Sequence, residues 1–144
     1  MVDILHRVPI KVPREAVYRA ITEPDGLSSW WTTDVEAEPT EGSLAIFRFE
    51  GGAVQMRMRV ESLTPGARVH WLVEEPSPPE WKGTSVTWEL SDQDGGTSVL
   101  FGHRGWKSTE LSFPFINYSW GYYLLSLVKY LEEGKGFPQD KPAG

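Results

Sequence analysis

The chain of 144 residues contains no cysteine, only three histidines and no long apolar run. The absence of cysteine excludes disulfide bonds, zinc–thiolate sites and thiol nucleophiles. Twenty acidic residues against fourteen lysines and arginines give a net charge of −6, and because phosphate recognition needs a basic surface, no nucleic-acid partner is expected. No segment approaches the roughly 20 apolar residues that span a bilayer, and residues 1–10 lack the pattern of a signal peptide. We therefore expect a cytoplasmic protein with no membrane partner.

Motifs that would indicate catalysis or a bound cofactor are also missing. The sequence has no G-x-S-x-G nucleophile motif and neither of the nucleotide-binding loops G-x-G-x-x-G and G-x-x-x-x-G-K-[ST]. Two inward-facing histidines do not supply the three or four ligands of a typical metal site. We expect no cofactor and no metal, and we assign no catalytic residue.

Aromatic residues are abundant instead, with seven tryptophans, six phenylalanines and five tyrosines. Tryptophan is large and is rarely buried completely. A small domain therefore has difficulty closing a core around so many indoles. Either the core is unusually aromatic, or the aromatic residues line a cavity that a ligand fills. The tryptophans are Trp30, Trp31, Trp71, Trp81, Trp88, Trp106 and Trp120.

Apolar and polar residues alternate with period 2 along much of the chain, which predicts strands. A helical stripe follows Pro13, and a second short helix is predicted over 27–31 after the break at 24–26. A long helix is predicted between a capping Ser112 and Gly134, with Pro114 in its first turn. The strands are predicted at residues 4–12, 44–50, 53–62, 68–74, 84–91 and 97–105.

This order predicts one α+β domain over residues 1–144. The long helix has no helical partner of comparable length, so its apolar face must lie on the sheet. We expect a curved antiparallel sheet of about six strands wrapped around the C-terminal helix, with two short helices after the first strand. Residues 135–144, rich in Pro, Gly and Lys, are expected to form a loose tail.

Three stretches resemble the START-like helix-grip (SRPBCC) superfamily: VPREAVYRAITEPDGLSSWW (12–31), FGHRGW (101–106) and SWGYYLLSLVKYLEEGKG (119–136). Within it the chain is similar to the family named after the activator of the heat-shock-protein-ninety ATPase. The resemblance implies a helix-grip fold around a hydrophobic cavity. The chaperone-binding domain of the eukaryotic co-chaperone has no counterpart in these 144 residues, so a chaperone-activating role is not expected.

Inward strand positions and one face of the long helix are the predicted lining of such a cavity. Trp106 and Trp81 are placed in loops and are expected as contacts at the rim. The candidate ligand-binding residues are Trp31, Phe47, Phe49, Met56, Met58, Trp71, Trp88, Phe101, His103, Trp106, Trp120, Tyr123, Leu124 and Leu127.

Two histidines, His6 and His103, occupy positions where an apolar inward residue is expected. If the first and last strands pair antiparallel, their imidazoles could be cross-strand neighbours near the cavity mouth. Imidazole both donates and accepts hydrogen bonds, so His6 and His103 are candidate polar anchors for a ligand. The alternative is that each ring bonds a backbone carbonyl or a nearby hydroxyl.

Three functions remain open from the sequence. The first is the binding of a small apolar, aromatic or lipid-like ligand. The second is a polyketide cyclase or aromatase type of enzyme, which requires His6, His103 and a carboxylate to converge inside the cavity. The third is a stress-related accessory protein with an outer apolar patch. Tyr122, Leu125 and Val128 lie off the main helix face and could form such a patch or a homodimer contact.

Overall fold

The computed structural model describes residues 1–140 and contains one seven-stranded sheet with three helices. Every pair of neighbouring strands is antiparallel. In chain order the elements are β1 (Val2–Ile10), α1 (Arg14–Thr22), α2 (Pro24–Trp30), β2 (Asp34–Glu36), β3 (Leu44–Phe49), β4 (Val54–Thr64), β5 (Arg68–Glu74), β6 (Ser85–Gln93), β7 (Gly96–Trp106) and α3 (Phe113–Glu133).

The strand order is β1-β7-β6-β5-β4-β3-β2. All strands from β2 to β7 pair with their sequence neighbours, and only β1 pairs across the chain, with β7. Short connections between consecutive antiparallel strands account for this arrangement. The first and last strands pair antiparallel, which was the condition for His6 and His103 to be neighbours, and the helix-grip class expected from the sequence is confirmed.

The alternating pattern decides which face of each strand is buried. In β5, Val69, Trp71 and Val73 are buried while the residues between them reach solvent. From α3, Trp120, Leu124 and Leu127 are buried against this inner face, at spacings that place them on one side of a helix. None of the helices within residues 1–140 combines the length and the apolarity needed to cross a bilayer.

Most strand ends differ from the sequence prediction by one or two residues, as in β1, which spans Val2–Ile10 and not 4–12. The sheet has a seventh strand, β2, whose three residues are too few to show a period. Helix α2 begins at Pro24 and not at Leu27, because proline and the two residues after it are accommodated in the first turn of a helix. Strand β7 extends to Trp106.

Residues 135–140 do not form the loose tail that was expected, because they pack against the domain. The Phe137 amide donates to Ser126 Oγ at 2.7 Å, and the Gln139 amide donates to the Trp31 carbonyl at 2.9 Å. Gly136 permits this approach, because a Cβ there would lie 2.6 Å from the Ser29 carbonyl oxygen. Composition alone could not reveal these contacts. Residues 141–144 of the predicted tail lie outside the described residues.

Gly26 allows α1 and α2 to pack closely. A Cβ at this position would lie 2.5 Å from Ala20 Cα, closer than van der Waals contact permits. The obstructing atom belongs to the backbone, so α1 and α2 would have to separate. Gly121, within α3, is different, because its Cβ would meet only the His6 ring at 3.7 Å.

We predict opposite effects for alanine at these two glycines. Gly26→Ala should lower the free energy of unfolding by about 1–3 kcal/mol through overpacking. Gly121→Ala should leave it unchanged or raise it by about 0.5–1 kcal/mol, because glycine inside a helix is entropically unfavourable. Urea denaturation of both variants measures the difference. Equal effects would contradict the close-approach explanation.

Candidate ligand-binding site

The centre of the domain, between the sheet and α3, is filled by aromatic side chains. Trp30, Trp71 and Trp88 are fully buried. Trp88 meets both other indoles edge to face, with ring centroids 5.8 Å apart in each pair, and it also contacts Phe101 at 4.8 Å. These geometries are favourable for aromatic pairs. The aromatic core predicted as one alternative is therefore present.

A cavity nevertheless remains at one end of the fold. Its volume is about 720 Å³ and it opens to solvent. It lies between the β3–β4 hairpin, the turn at 78–81 and the first half of α3. Its walls are formed by Trp31, Phe49, Glu50, Val54, Met56, Pro78, Pro79, Glu80, Trp81, Ser112, Phe115, Ile116, Ser119, Trp120, Tyr123 and Gln139.

Five of the predicted ligand-binding residues line this cavity: Trp31, Phe49, Met56, Trp120 and Tyr123. The other nine face inward as expected but lie in the packed interior. The reason is the position of the cavity, which is confined to one end because the indoles close the middle. The nine residues that do not line it are Phe47, Met58, Trp71, Trp88, Phe101, His103, Trp106, Leu124 and Leu127.

The aromatic wall is held by ring contacts that run from α2 to α3. Trp31 is central: its ring lies 4.9 Å from Trp120 and 5.7 Å from Phe49. Phe49 in turn meets Tyr123 edge to face at 6.1 Å. On its other side Trp31 stacks on buried Trp71, with centroids 6.3 Å apart and planes 5° from parallel. The wall is thus continuous with the aromatic core.

Sequence reasoning missed most of the wall that comes from turns and from the start of α3. A signal existed for two residues of α3: Ile116 lies four positions before Trp120, and Ser119 lies four positions before Tyr123, which places both on the cavity side. For Pro78, Pro79 and the other loop residues, no periodicity could have indicated where the loop packs. The missed residues are Glu50, Val54, Pro78, Pro79, Glu80, Ser112, Phe115, Ile116, Ser119 and Gln139.

The two tryptophans predicted as exposed rim contacts are both buried. Trp81 sits in a short 3₁₀ turn, Pro79–Trp81, and contributes to the cavity wall. Trp106 ends β7 and packs between the rings of His103 and Phe113 without reaching the cavity. Trp106 is therefore not a rim contact. Trp81 does line the cavity, but as a buried part of its wall and not as an exposed residue at the rim.

His103 forms a buried hydrogen-bonded chain behind the cavity. Trp120 Nε1 donates to His103 Nδ1 at 3.1 Å, and His103 Nε2 lies 2.9 Å from Thr84 Oγ1. Indole N–H can only donate, so Nδ1 accepts and the proton of the neutral ring is on Nε2. Thr84 Oγ1 in turn donates to the Trp81 carbonyl at 2.6 Å. Each side-chain polar atom of this hydrogen-bonded chain therefore has a partner.

Burial lowers the pKa of His103 to about 3 from its ordinary value of 6.5. The charged form is disfavoured because the ring is removed from water. A neutral imidazole is also the form that the chain requires, since a protonated Nδ1 could not accept from Trp120. His103 is thus a positioning residue for two wall tryptophans, and its predicted role as an anchor that touches the ligand is not supported.

His6 and His103 are not the cross-strand neighbours that were predicted, and each lies in a different environment. In the β1–β7 register His6 lies opposite Phe101, and Ile4 lies opposite His103. His6 Nε2 lies 3.0 Å from the Asn117 side-chain oxygen. Neither histidine lines the cavity. Within residues 1–140, no three histidines or carboxylates cluster as metal ligands.

The polar groups of the wall are few. The Glu80 Oε1 atom accepts from the Ser112 amide at 3.1 Å and also from the Ser112 hydroxyl. These bonds fasten the 78–81 turn to the start of α3, and a carboxylate there suits the helix dipole. Burial raises the pKa of the Tyr123 hydroxyl, which stays neutral at physiological pH. The site is an apolar aromatic cavity with isolated polar groups, a typical arrangement for binding small molecules.

The antiparallel sheet gripping a long C-terminal helix, with a cavity between them, defines a helix-grip protein. The chain belongs to the Activator of Hsp90 ATPase homolog 1-like family, which matches residues 11–132. The resemblance noted from the sequence is thereby confirmed. No curated protein sequence matches the chain.

Solved structures share the fold over almost the whole chain. The Aha1 dimer from Colwellia psychrerythraea is 38% identical, with a TM-score of 0.87 covering 94% of this chain and 100% of that one. SSP2350 from Staphylococcus saprophyticus is 19% identical, with a TM-score of 0.80 over 98% and 100% of the two chains. DynU16, from the dynemicin biosynthetic locus, is 20% identical, with a TM-score of 0.76 over 93% and 48%. The latter two demonstrate likeness of fold alone.

The pKa of His103 predicts how stability depends on pH. The unfolded chain binds a proton at this ring near pH 6.5, whereas the folded chain does not until about pH 3. The stabilising contribution is therefore complete above pH 6.5 and is lost as the pH falls toward 3. Lowering the pH from 6.5 to 5.0 should cost the wild type about 2 kcal/mol more than it costs His103→Gln, which cannot titrate. Urea denaturation at both pH values measures this, and identical losses would contradict a neutral buried ring.

Proposed function

We propose that this protein binds a small hydrophobic molecule with an aromatic or similarly flat body in the open-ended cavity. The observation that carries the proposal is the wall itself, which offers six aromatic side chains around about 720 Å³. This volume lies within the range of about 300–1,000 Å³ that is typical of small-molecule sites. Members of this family commonly bind hydrophobic ligands, which supports the same conclusion.

The energetics support a site that binds a ligand without catalysing a reaction. Removing about 200 Å² of apolar ligand surface from water contributes roughly 5 kcal/mol before the entropic cost of association. The ring contacts of Trp31 and the hydrogen bond of Trp120 hold the wall in place before a ligand arrives. A preorganised wall reduces the ordering cost of binding.

The cyclase alternative has less support from the geometry. It requires the two histidines and a carboxylate to meet inside the cavity. His103 is instead buried behind the wall, and His6 contacts Asn117. DynU16 comes from the dynemicin biosynthetic locus, but its likeness to this chain concerns the fold. We therefore favour a binding protein over an enzyme.

A cavity-filling substitution tests the proposal. The wild type should bind N-phenyl-1-naphthylamine saturably, seen as a rise in probe fluorescence and as quenching of tryptophan emission. Ser119→Phe, which places a ring inside the cavity, should weaken binding about tenfold or more, equivalent to about 1.4 kcal/mol. Ser91→Phe is the matched control, because Ser91 is exposed on β6 outside the cavity. The proposal fails if the wild type shows no saturable binding, or if Ser119→Phe binds like the wild type.

We also propose that the protein forms a homodimer through α3. A solved relative that is 38% identical is the Aha1 dimer from Colwellia psychrerythraea. The exposed side of α3 supports the same assembly here. Residues 111–128 contain no charged side chain, although a solvated helix face normally does. Five apolar or aromatic side chains form what is called the outer stripe, one of them just before α3 and four on its exposed side. They are exposed by 80%, 66%, 71%, 44% and 50%: Leu111, Phe115, Tyr118, Tyr122 and Leu125.

The outer stripe suits a second copy of the same helix. Within α3 its members, from Phe115 to Leu125, are spaced by three, four and three residues, the pattern by which two helices pair along a seam. Its exposed side chains present roughly 500–600 Å² per copy, so that pairing would bury on the order of 1,000 Å², the lower bound for a stable interface. Glu110 precedes the stripe and Lys129 follows it. An antiparallel pair would therefore bring opposite charges together at both ends.

A charge inserted in the outer stripe tests this assembly. Leu125→Glu should convert a dimer into a monomer, because it places unpaired carboxylates in the contact. Leu5→Glu makes the same change at an exposed leucine on β1 and should leave the dimer intact. Sedimentation equilibrium at micromolar concentrations distinguishes the two states. A monomeric wild type, or a dimeric Leu125→Glu variant, would refute the outer stripe as the interface.

A further inference from the structure

We infer that the cavity selects hydrophobic ligands that carry a positively charged amine and rejects those that carry a carboxylate. The inference rests on the proposed function and adds the charge of the ligand to it. Among the lining residues, the charged side chains are Glu50 and Glu80, both acidic. No lysine, arginine or histidine within residues 1–140 contributes to the wall.

Glu80 is positioned to meet a ligand. Both of its hydrogen bonds from Ser112 end on Oε1. The second oxygen, Oε2, has no protein donor among residues 1–140, and the side chain is only partly buried. The bonds to Ser112 also fix the carboxylate in place, so a donor group on a ligand would meet a preorganised acceptor. A charged donor strengthens such a bond about twofold over a neutral one.

The aromatic wall favours the same sign of charge. A cation over the face of an indole or phenol ring is attracted by the negative ring face. Trp31, Trp81 and Trp120 offer the ring type that binds cations best. The Tyr123 hydroxyl is neutral and adds no competing charge. An ammonium group inside the cavity would therefore find a carboxylate and aromatic rings together.

An anion would find the opposite conditions. A carboxylate moved from water into the cavity loses hydration, and no basic group of the wall compensates for the loss. Glu50 and Glu80 would repel it, and the net charge of −6 would slow its approach. Lys82 follows Trp81 in the sequence, but its side chain is exposed and is not part of the wall. Fatty acids and similar anions are therefore poor ligands for this site.

Three ligands of matched shape test the inference by isothermal calorimetry at pH 7. They are 1-naphthylmethylamine, 1-naphthalenemethanol and 1-naphthoic acid, which carry a positive, zero and negative charge. We expect the amine to bind at least as tightly as the alcohol, and the acid to bind about tenfold or more weakly than the amine. An acid that binds as well as the amine would overturn the inference.

Variants identify the source of the selectivity. Glu80→Gln keeps an oxygen that can accept from Ser112, and Glu50→Gln removes the other charge. Each should weaken the binding of the amine and strengthen that of the acid, so that the amine-to-acid affinity ratio narrows, and the alcohol serves as the reference for any change common to the three ligands. Glu38→Gln changes the net charge equally at an exposed site outside the wall and should not alter the ratio. If the amine-to-acid ratio persists in the Glu50→Gln/Glu80→Gln double variant, the carboxylates are not its origin and the role assigned to Glu50 and Glu80 is wrong.

The neutral ligand separates this inference from the proposed function. If the alcohol binds and the charged ligands are not distinguished, the inference on charge fails while the cavity remains a binding site. If the alcohol, the amine and the acid all fail to bind, the proposed function fails and the inference falls with it. Circular dichroism of each variant confirms that a lost affinity is not a lost fold.

Discussion

The hydrogen-bonded chain from Trp120 through His103 and Thr84 to the Trp81 carbonyl is the constraint on which the cavity depends. It joins α3, β7 and the turn before β6 through side-chain bonds that span 17 and 19 residues of sequence. The Trp81 ring also packs on the His103 ring, with centroids 4.6 Å apart. Since an unsatisfied polar group in this position would be costly, the segments are held in a single arrangement. The two tryptophans at its ends are then fixed as cavity wall.

The location of the cavity follows from the distribution of the large side chains. Trp71 and Trp88 project from central strands and meet Trp30 of α2, so the middle of the grip is closed. Toward the β3–β4 hairpin the sheet contributes smaller or more flexible residues, Val54 and Met56. The helix there presents Ile116 and Ser119. The large rings therefore fill the middle of the domain, and space is left at the end near the β3–β4 hairpin.

The sequence could predict the features that depend on the period of apolar residues and on the order of the strands and helices. Alternation such as that of Val69, Trp71 and Val73 assigned the strands, and the lack of a helical partner placed α3 on the sheet. Period does not report how far apart two inward faces lie, so it could not separate wall residues such as Met56 from core residues such as Met58. The turn at 78–81 and residues 135–140 are held by tertiary hydrogen bonds. No local sequence pattern indicates such bonds, so the positions of these segments could not be predicted from the sequence.

The uncharged segment at 111–128 has to serve two surfaces at once. Ile116, Ser119 and Trp120 face the cavity, whereas Tyr118 and Tyr122 face solvent on the outer stripe. Phe115 belongs to both, because it lines the cavity and is 66% exposed. A partner copy seated on the outer stripe would cover this ring and reduce the cost of its exposure to water. Assembly and ligand access would then compete or cooperate through the same side chain, which gives a physical reason for a helix start without charges.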